Sequence, residues 1–131
     1  MLALDTNVLV RFLVEDDEVQ SSRAAKLIGR ALREGDPLFV ADVVLCETVW
    51  VLRTSYEFGR AEIADVLHRL LKAAHLTFAH SDSLKRAAEA YARGKGDFAD
   101  YVIREQARAA GCERIATFDR ALLKEELFVA P

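Results

Sequence analysis

Short apolar runs alternate with longer amphipathic stretches from one end of the chain to the other. Leu2 to Leu4 reads as a short buried strand. Thr6 to Val14 is apolar with Arg11 inserted and suits a short helix beginning just after Asp5. The acidic run Glu15-Asp16-Asp17-Glu18 marks a turn and a helix start, where acids favour the macrodipole. Ala24, Leu27, Ile28, Ala31 and Leu32 recur at helical spacing and predict a helix over about 19–33, stopped by Gly35-Asp36-Pro37. A second strand is predicted over Leu38 to Ala41, then a helix capped by Asp42 and running to about Thr54. Arg60 to Ala74 carries Ile63, Val66, Leu67, Leu70 and Leu71 on one side, so it is helical. Leu76 to Ala79 is a third strand. Ser81 or Asp82 caps a helix to about Arg93, Gly94-Lys95-Gly96 breaks the chain, and Phe98 to Ala110 is a helix closed by Gly111. A fourth strand over Arg114 to Phe118, a short helix over Arg120 to Leu127 and an edge strand at Phe128-Val129 complete the pattern.

Strands that alternate with helices specify an α/β domain with a mostly parallel sheet. The 131 residues fit a single domain, and neither a repeat nor a linker interrupts them. Hydrophobic residues make up 52%, enough to build a core. The formal net charge of −3 argues against non-specific coating of nucleic acid, but leaves room for a local basic groove beside an acidic site. Cys46 and Cys112 lack a metal-binding spacing; Cys46 is expected in the core, and no disulfide is expected. Neither a signal peptide nor a membrane span is evident, so a cytoplasmic protein is expected.

The acids give the chain its chemistry. Asp5 ends the first apolar run, Asp119 ends Ile115 to Phe118, and Glu47 lies within Val43 to Leu52, with Val43, Val44, Trp50 and Val51 as helical neighbours. Asp97 and Asp100 open another helix. Carboxylates are costly to desolvate without a partner, and sites in parallel sheets form beyond the carboxyl ends of the strands. One shared cation site accounts for all five. Each acid also fits a purely structural role: Asp5, Asp97 and Asp119 as helix caps, Asp100 as a first-turn acid, and Glu47 as half of a salt bridge. The histidines share no ligand spacing, no serine sits in a nucleophile elbow, and Gly94-Lys95-Gly96 lacks the phosphate-loop pattern. Trp50 and Phe39 are expected in the core.

Leu4-Asp5-Thr6-Asn7-Val8-Leu9, the mid-chain Glu47, Asp97-Phe98-Ala99-Asp100-Tyr101-Val102-Ile103 and Ala116-Thr117-Phe118-Asp119 together resemble the PIN-domain nucleases, most closely the VapC-type toxins of toxin–antitoxin pairs. The resemblance spans essentially the whole chain in order. It implies a three-layer α/β/α domain around a central, mostly parallel sheet of four or five strands. It also implies a Mg²⁺- or Mn²⁺-dependent endoribonuclease. By position, Asp5, Glu47, Asp97, Asp100 and Asp119 match the family's acids, with Asp5 and Asp100 as principal metal ligands. Thr6, Asn7 and Thr117 match polar positions that steady the carboxylates. Tyr101 is bulkier than the family's usual residue and is expected to narrow the cleft.

Hard divalent cations prefer oxygen ligands, and a bound ion lowers the pKa of its water for attack on phosphorus. Arg11, Arg104 and Arg108 are candidate phosphate contacts, or equally plain surface residues. The resemblance further implies an RNA substrate, a cognate antitoxin that blocks the cleft, and a homodimer using the apolar faces of the Thr6 and Arg60–Ala74 helices. Two alternatives stay open: a non-catalytic RNA- or protein-binding module of the same fold, and a metal-dependent phosphatase. The haloacid dehalogenase type of phosphatase needs an acid where this chain has Asn7.

Overall fold

The apolar periodicity becomes six α-helices and five short strands in a computed structural model that describes residues 1–131. The chain forms two compact units, Met1–Ser81 and Asp82–Pro131.

The first unit holds β1 (Leu2–Ala3), α1 (Thr6–Leu13), α2 (Glu18–Glu34), β2 (Leu38–Phe39), α3 (Asp42–Thr54), α4 (Arg60–Lys72) and β3 (Leu76–Thr77). The order is β1-β2-β3, with Leu2 opposite Leu38 and Leu38 opposite Leu76, all parallel. The strands are shorter than the sequence predicts, yet extended pairing continues one residue further, where Leu4 N–H donates to Phe39 at 2.9 Å and Val40 N–H to Thr77 at 2.9 Å. Helix α1 packs on α2 and α3 and buries Leu9 and Val10. Asp17 caps α2 by accepting from Gln20 N–H at 3.0 Å. Gly35 closes it at φ 65°, a left-handed conformation that glycine adopts without steric cost. Ile63, Leu67, Leu70 and Leu71 of α4 are buried. Much of the α1 and α4 faces expected to meet a second copy is thus core, while Phe12, Leu13 and Val66 stay half-buried and line a shallow cleft.

The second unit begins with nearly all of α5 (Ser81–Arg93) and continues through α6 (Phe98–Ala109), β4 (Ile115–Ala116), a 3-10 turn at Leu122–Lys124 and β5 (Phe128–Val129). Strands β4 and β5 are parallel, Ile115 opposite Phe128. All five expected strands are present, hydrogen-bonded as three and two rather than as one continuous ladder. The helix predicted over Arg120 to Leu127 shrinks to that 3-10 turn. Leu127 takes φ 73°, which no helix tolerates, and its carbonyl accepts from Ile115 N–H at 2.9 Å. The demand of strand pairing outweighs local helical pattern here. Six helices and all-parallel strand pairs agree with the expected three-layer α/β/α class.

Two aromatics depart from expectation. Trp50, expected in the core, is 59% exposed. Tyr101 narrows no cleft. It is fully buried, and its hydroxyl accepts from Gly96 N–H at 3.0 Å and donates to Glu125 at 2.7 Å. That ring leaves no room at Gly94, where a Cβ would run into the Tyr101 hydroxyl. Gly94→Ala is therefore expected to cost about 1–3 kcal/mol as an overpacking change. A lower denaturant midpoint at unchanged m-value would register it.

Candidate active site

In the first unit the acids flank the start of α1. Asp5 occupies the N-cap position, with φ −79° and ψ 161°, and its carbonyl accepts from Leu9 N–H at 3.2 Å. Its side chain makes no capping hydrogen bond. The backbone role predicted for an N-cap is thus filled, while the exposed carboxylate remains available for other chemistry. The next residue, Thr6, is buried, and its hydroxyl donates to Glu47 Oε1 at 3.3 Å. This bond ties Glu47 of α3 to the residue after Asp5. Glu47 is exposed rather than enclosed by its apolar neighbours, because Val43 and Trp50 on its own helix face are also exposed. Cys46 is half-buried. Burial first, and the Asp42 and Glu47 charges second, push its thiol up to about 11. Both cysteines are free.

In the second unit the acids gather near the start of α6. Asp97 is its N-cap residue, and its own N–H donates to Asp100 Oδ2 at 3.2 Å. The predicted capping box is present and commits one oxygen of Asp100 to the helix start. Burial, together with the Asp97 and Asp119 charges, raises the Asp100 carboxyl above its ordinary value, the backbone bond from Asp97 opposing. Asp119 is exposed and anchored from two directions: its N–H donates to Thr117 Oγ1 at 3.0 Å, and its Oδ1 accepts from Ala121 N–H at 2.9 Å. Thr117 thus steadies the backbone of Asp119 rather than its carboxylate.

No three His, Cys, Asp or Glu side chains form a group that could hold a metal ion. The donors are nonetheless oxygen ligands of the kind a hard cation takes. The Asp100 carboxyl is raised by burial first and by the Asp97 and Asp119 charges after it, and a cation would offset both. Mg²⁺ uses one or two protein carboxylates and keeps several waters, so it does not require a closed protein cage.

The candidate phosphate contacts divide. Arg11 donates to Asp16 at 2.7 Å, Gln20 at 2.7 Å and Tyr56 at 3.1 Å. Arg104 is buried, pairs with buried Glu105 at 2.8 Å and lies over the Tyr101 ring; it is a structural residue, not a surface cation. Arg108 bridges Glu105 at 3.2 Å and Glu126 at 3.3 Å. Asn7 is exposed beside Thr6. Arg23, Lys26 and Arg30 are exposed and spaced i, i+3 and i+7 along one face of α2, a basic stripe visible in the sequence. No helix is long and apolar enough to cross a membrane.

The chain is 26% identical over 124 residues to a VapC ribonuclease of Aquifex aeolicus (strain VF5), an alignment covering 95% of this chain and 91% of that protein. The PIN domain model matches residues 2–125, and that match spans the whole series of acids from Asp5 to Asp119. The chain belongs to the PIN domain family.

Proposed function

We propose that this PIN-domain protein is a divalent-metal-dependent endoribonuclease, the toxin of a toxin–antitoxin pair, that hydrolyses RNA phosphodiester bonds with Mg²⁺ or Mn²⁺. The observation that carries the reading is the state of Asp5: an N-cap residue whose carboxylate does no capping, one residue from a buried threonine that holds Glu47. Support also comes from the chain-long family match and from the name of the Aquifex relative.

Asp5 and Asp100 are the principal metal ligands in this reading. A bound divalent ion supplies an anchor for a phosphate oxygen and a more acidic water. Glu47, steadied by the Thr6 hydroxyl, accepts a proton from the attacking water or orients it. Asp119, fixed by Thr117 and by the turn to Ala121, performs the same service or holds a second ion. Asp97 shapes the start of α6 and so fixes the backbone that carries Asp100. Asn7 steadies the segment after Asp5. Residues 1–131 then work as one catalytic domain. A homodimer, a cognate antitoxin that covers the acids, and residence in the cytoplasm belong to the same proposal.

Incubating the purified protein with end-labelled single-stranded RNA tests it. Cleavage is expected with Mg²⁺ or Mn²⁺, leaving 5′-phosphate and 3′-hydroxyl ends, and EDTA is expected to abolish it until Mn²⁺ is restored. EDTA-resistant cleavage would reject metal dependence. Phosphomonoester turnover without RNA cleavage would point instead to a phosphatase.

A further inference from the structure

Two surface clefts differ in how their charge is balanced. The larger, about 830 Å³ in the second unit, sets four arginines against four glutamates. Several of these are already paired, as Arg108 is with Glu105 and Glu126. A polyanion entering it would have to displace carboxylates. The smaller, about 560 Å³ in the first unit between α1 and α2, is lined by Arg11, Arg23, Lys26 and Arg30, together with Asn7 and Gln20, and contains no carboxylate in its lining. This excess of positive charge stands out in a chain whose net charge is −3. Arg11 is partly neutralised by Asp16, so the working cations are the three on α2, all exposed.

Their spacing suits an extended polyanion. From Arg23 to Arg30 the helix advances about 10 Å, room for about two or three consecutive phosphates at roughly 3.4 Å of rise or more. The floor is apolar, formed by Val8, Ala24 and Leu27, against which riboses or unstacked bases can lie. One wall of the cleft is close in sequence to the acids. Asn7 on its wall follows Thr6, whose hydroxyl holds Glu47, and Asp5 precedes Thr6.

We infer that the α1–α2 cleft, through Arg23, Lys26 and Arg30, binds the phosphodiester backbone of single-stranded RNA and leads it to the acids at the start of α1. The inference rests on the nuclease reading, because it is the place of Asn7 on the cleft wall, two residues after Asp5, that selects RNA over an acidic protein segment. Phosphate contacts position the strand and carry no base preference, so any sequence selection must arise elsewhere.

The test uses the full chain carrying Asp5→Asn, so that RNA is bound but not cut. Affinity for a labelled single-stranded oligonucleotide is measured by fluorescence anisotropy across a potassium chloride series. The same measurement follows on the added triple variant Arg23→Gln, Lys26→Gln, Arg30→Gln. Each lost contact lowers the slope of log K against log salt by about 0.7 for single strands, so the triple variant should lose about 2. Lys85→Gln, an exposed α5 lysine outside both clefts, is expected to leave the slope unchanged. In the otherwise wild-type chain the triple variant should raise KM at least tenfold with kcat nearly constant. An unchanged slope and KM, with the wild type still cleaving RNA, overturn the cleft and leave the nuclease reading standing. Full RNA binding by the triple variant with a changed oligomeric state by light scattering also overturns it, and assigns the cleft to a protein. A wild type that neither binds nor cuts RNA overturns both.

Discussion

Asp100→Asn is expected to lose RNA cleavage by at least roughly 10²-fold, because loss of a metal ligand forfeits charge stabilisation worth several kcal/mol, and yet to melt at a higher temperature at neutral pH. The two effects have one origin. Asp100 is partly removed from water and held near the Asp97 and Asp119 charges, so its carboxyl is raised above 3.8, its ordinary value. Between that value and the raised one, the folded protein binds more protons than the unfolded chain. Stability therefore falls as pH rises through this window, and the full penalty is present above the folded pKa. Asparagine removes the charge while its amide oxygen still accepts from Asp97 N–H. The melting-temperature gap between variant and wild type should be open at pH 7 and close as pH falls to about 3.8. A variant less stable than wild type at pH 7 would show that the helix-start bond outweighs the cost of burying the charge. Asp5→Asn should lose cleavage to a similar degree with an unchanged circular dichroism spectrum. If Asp5 and Asp100 act in the same step, the double variant should lose little more than either single one. Retained wild-type activity in either variant would remove that residue from the site.

The largest loss of stability is expected from Glu105→Ala. Glu105 and Arg104 are 4% and 7% exposed, and Glu105 accepts from both Arg104 and Arg108. Removing the acid strands a buried guanidinium, which costs about 3–5 kcal/mol. Replacing both partners, as Arg104→Met with Glu105→Leu, should restore most of the loss, because the pair must offset its own desolvation before it stabilises anything. Guanidinium denaturation of the three proteins decides the matter. Equal midpoints for the single and double variants would mean that the two charges do not act as a pair.

Most of the secondary structure was legible because it rests on local pattern. Residues 19–33 and 60–74 read as helices from apolar spacing and became α2 and α4 within one or two residues. The capping relation of Asp97 and Asp100 was legible for the same reason. What covers a helix face was not legible. Leu32 continues the apolar series of α2 but is 55% exposed, and Trp50 lies outside the core, since periodicity identifies a helix without naming its neighbours. The Arg104–Glu105 pair was also hidden. Adjacent helical residues do not normally face each other, and only burial forces these two together. Asp5 and Glu47 illustrate the boundary. Their segments were readable, whereas the Thr6 bond that joins them reaches across 41 positions of sequence.

Trp50 is the chain's only tryptophan. It stands in water one helical turn beyond Glu47. The protein consequently carries its own optical reporter on the face that bears an acid. Any nucleotide, peptide or second copy that settles over α3 must alter the colour or intensity of indole emission, and occupancy there can be followed without attaching a dye.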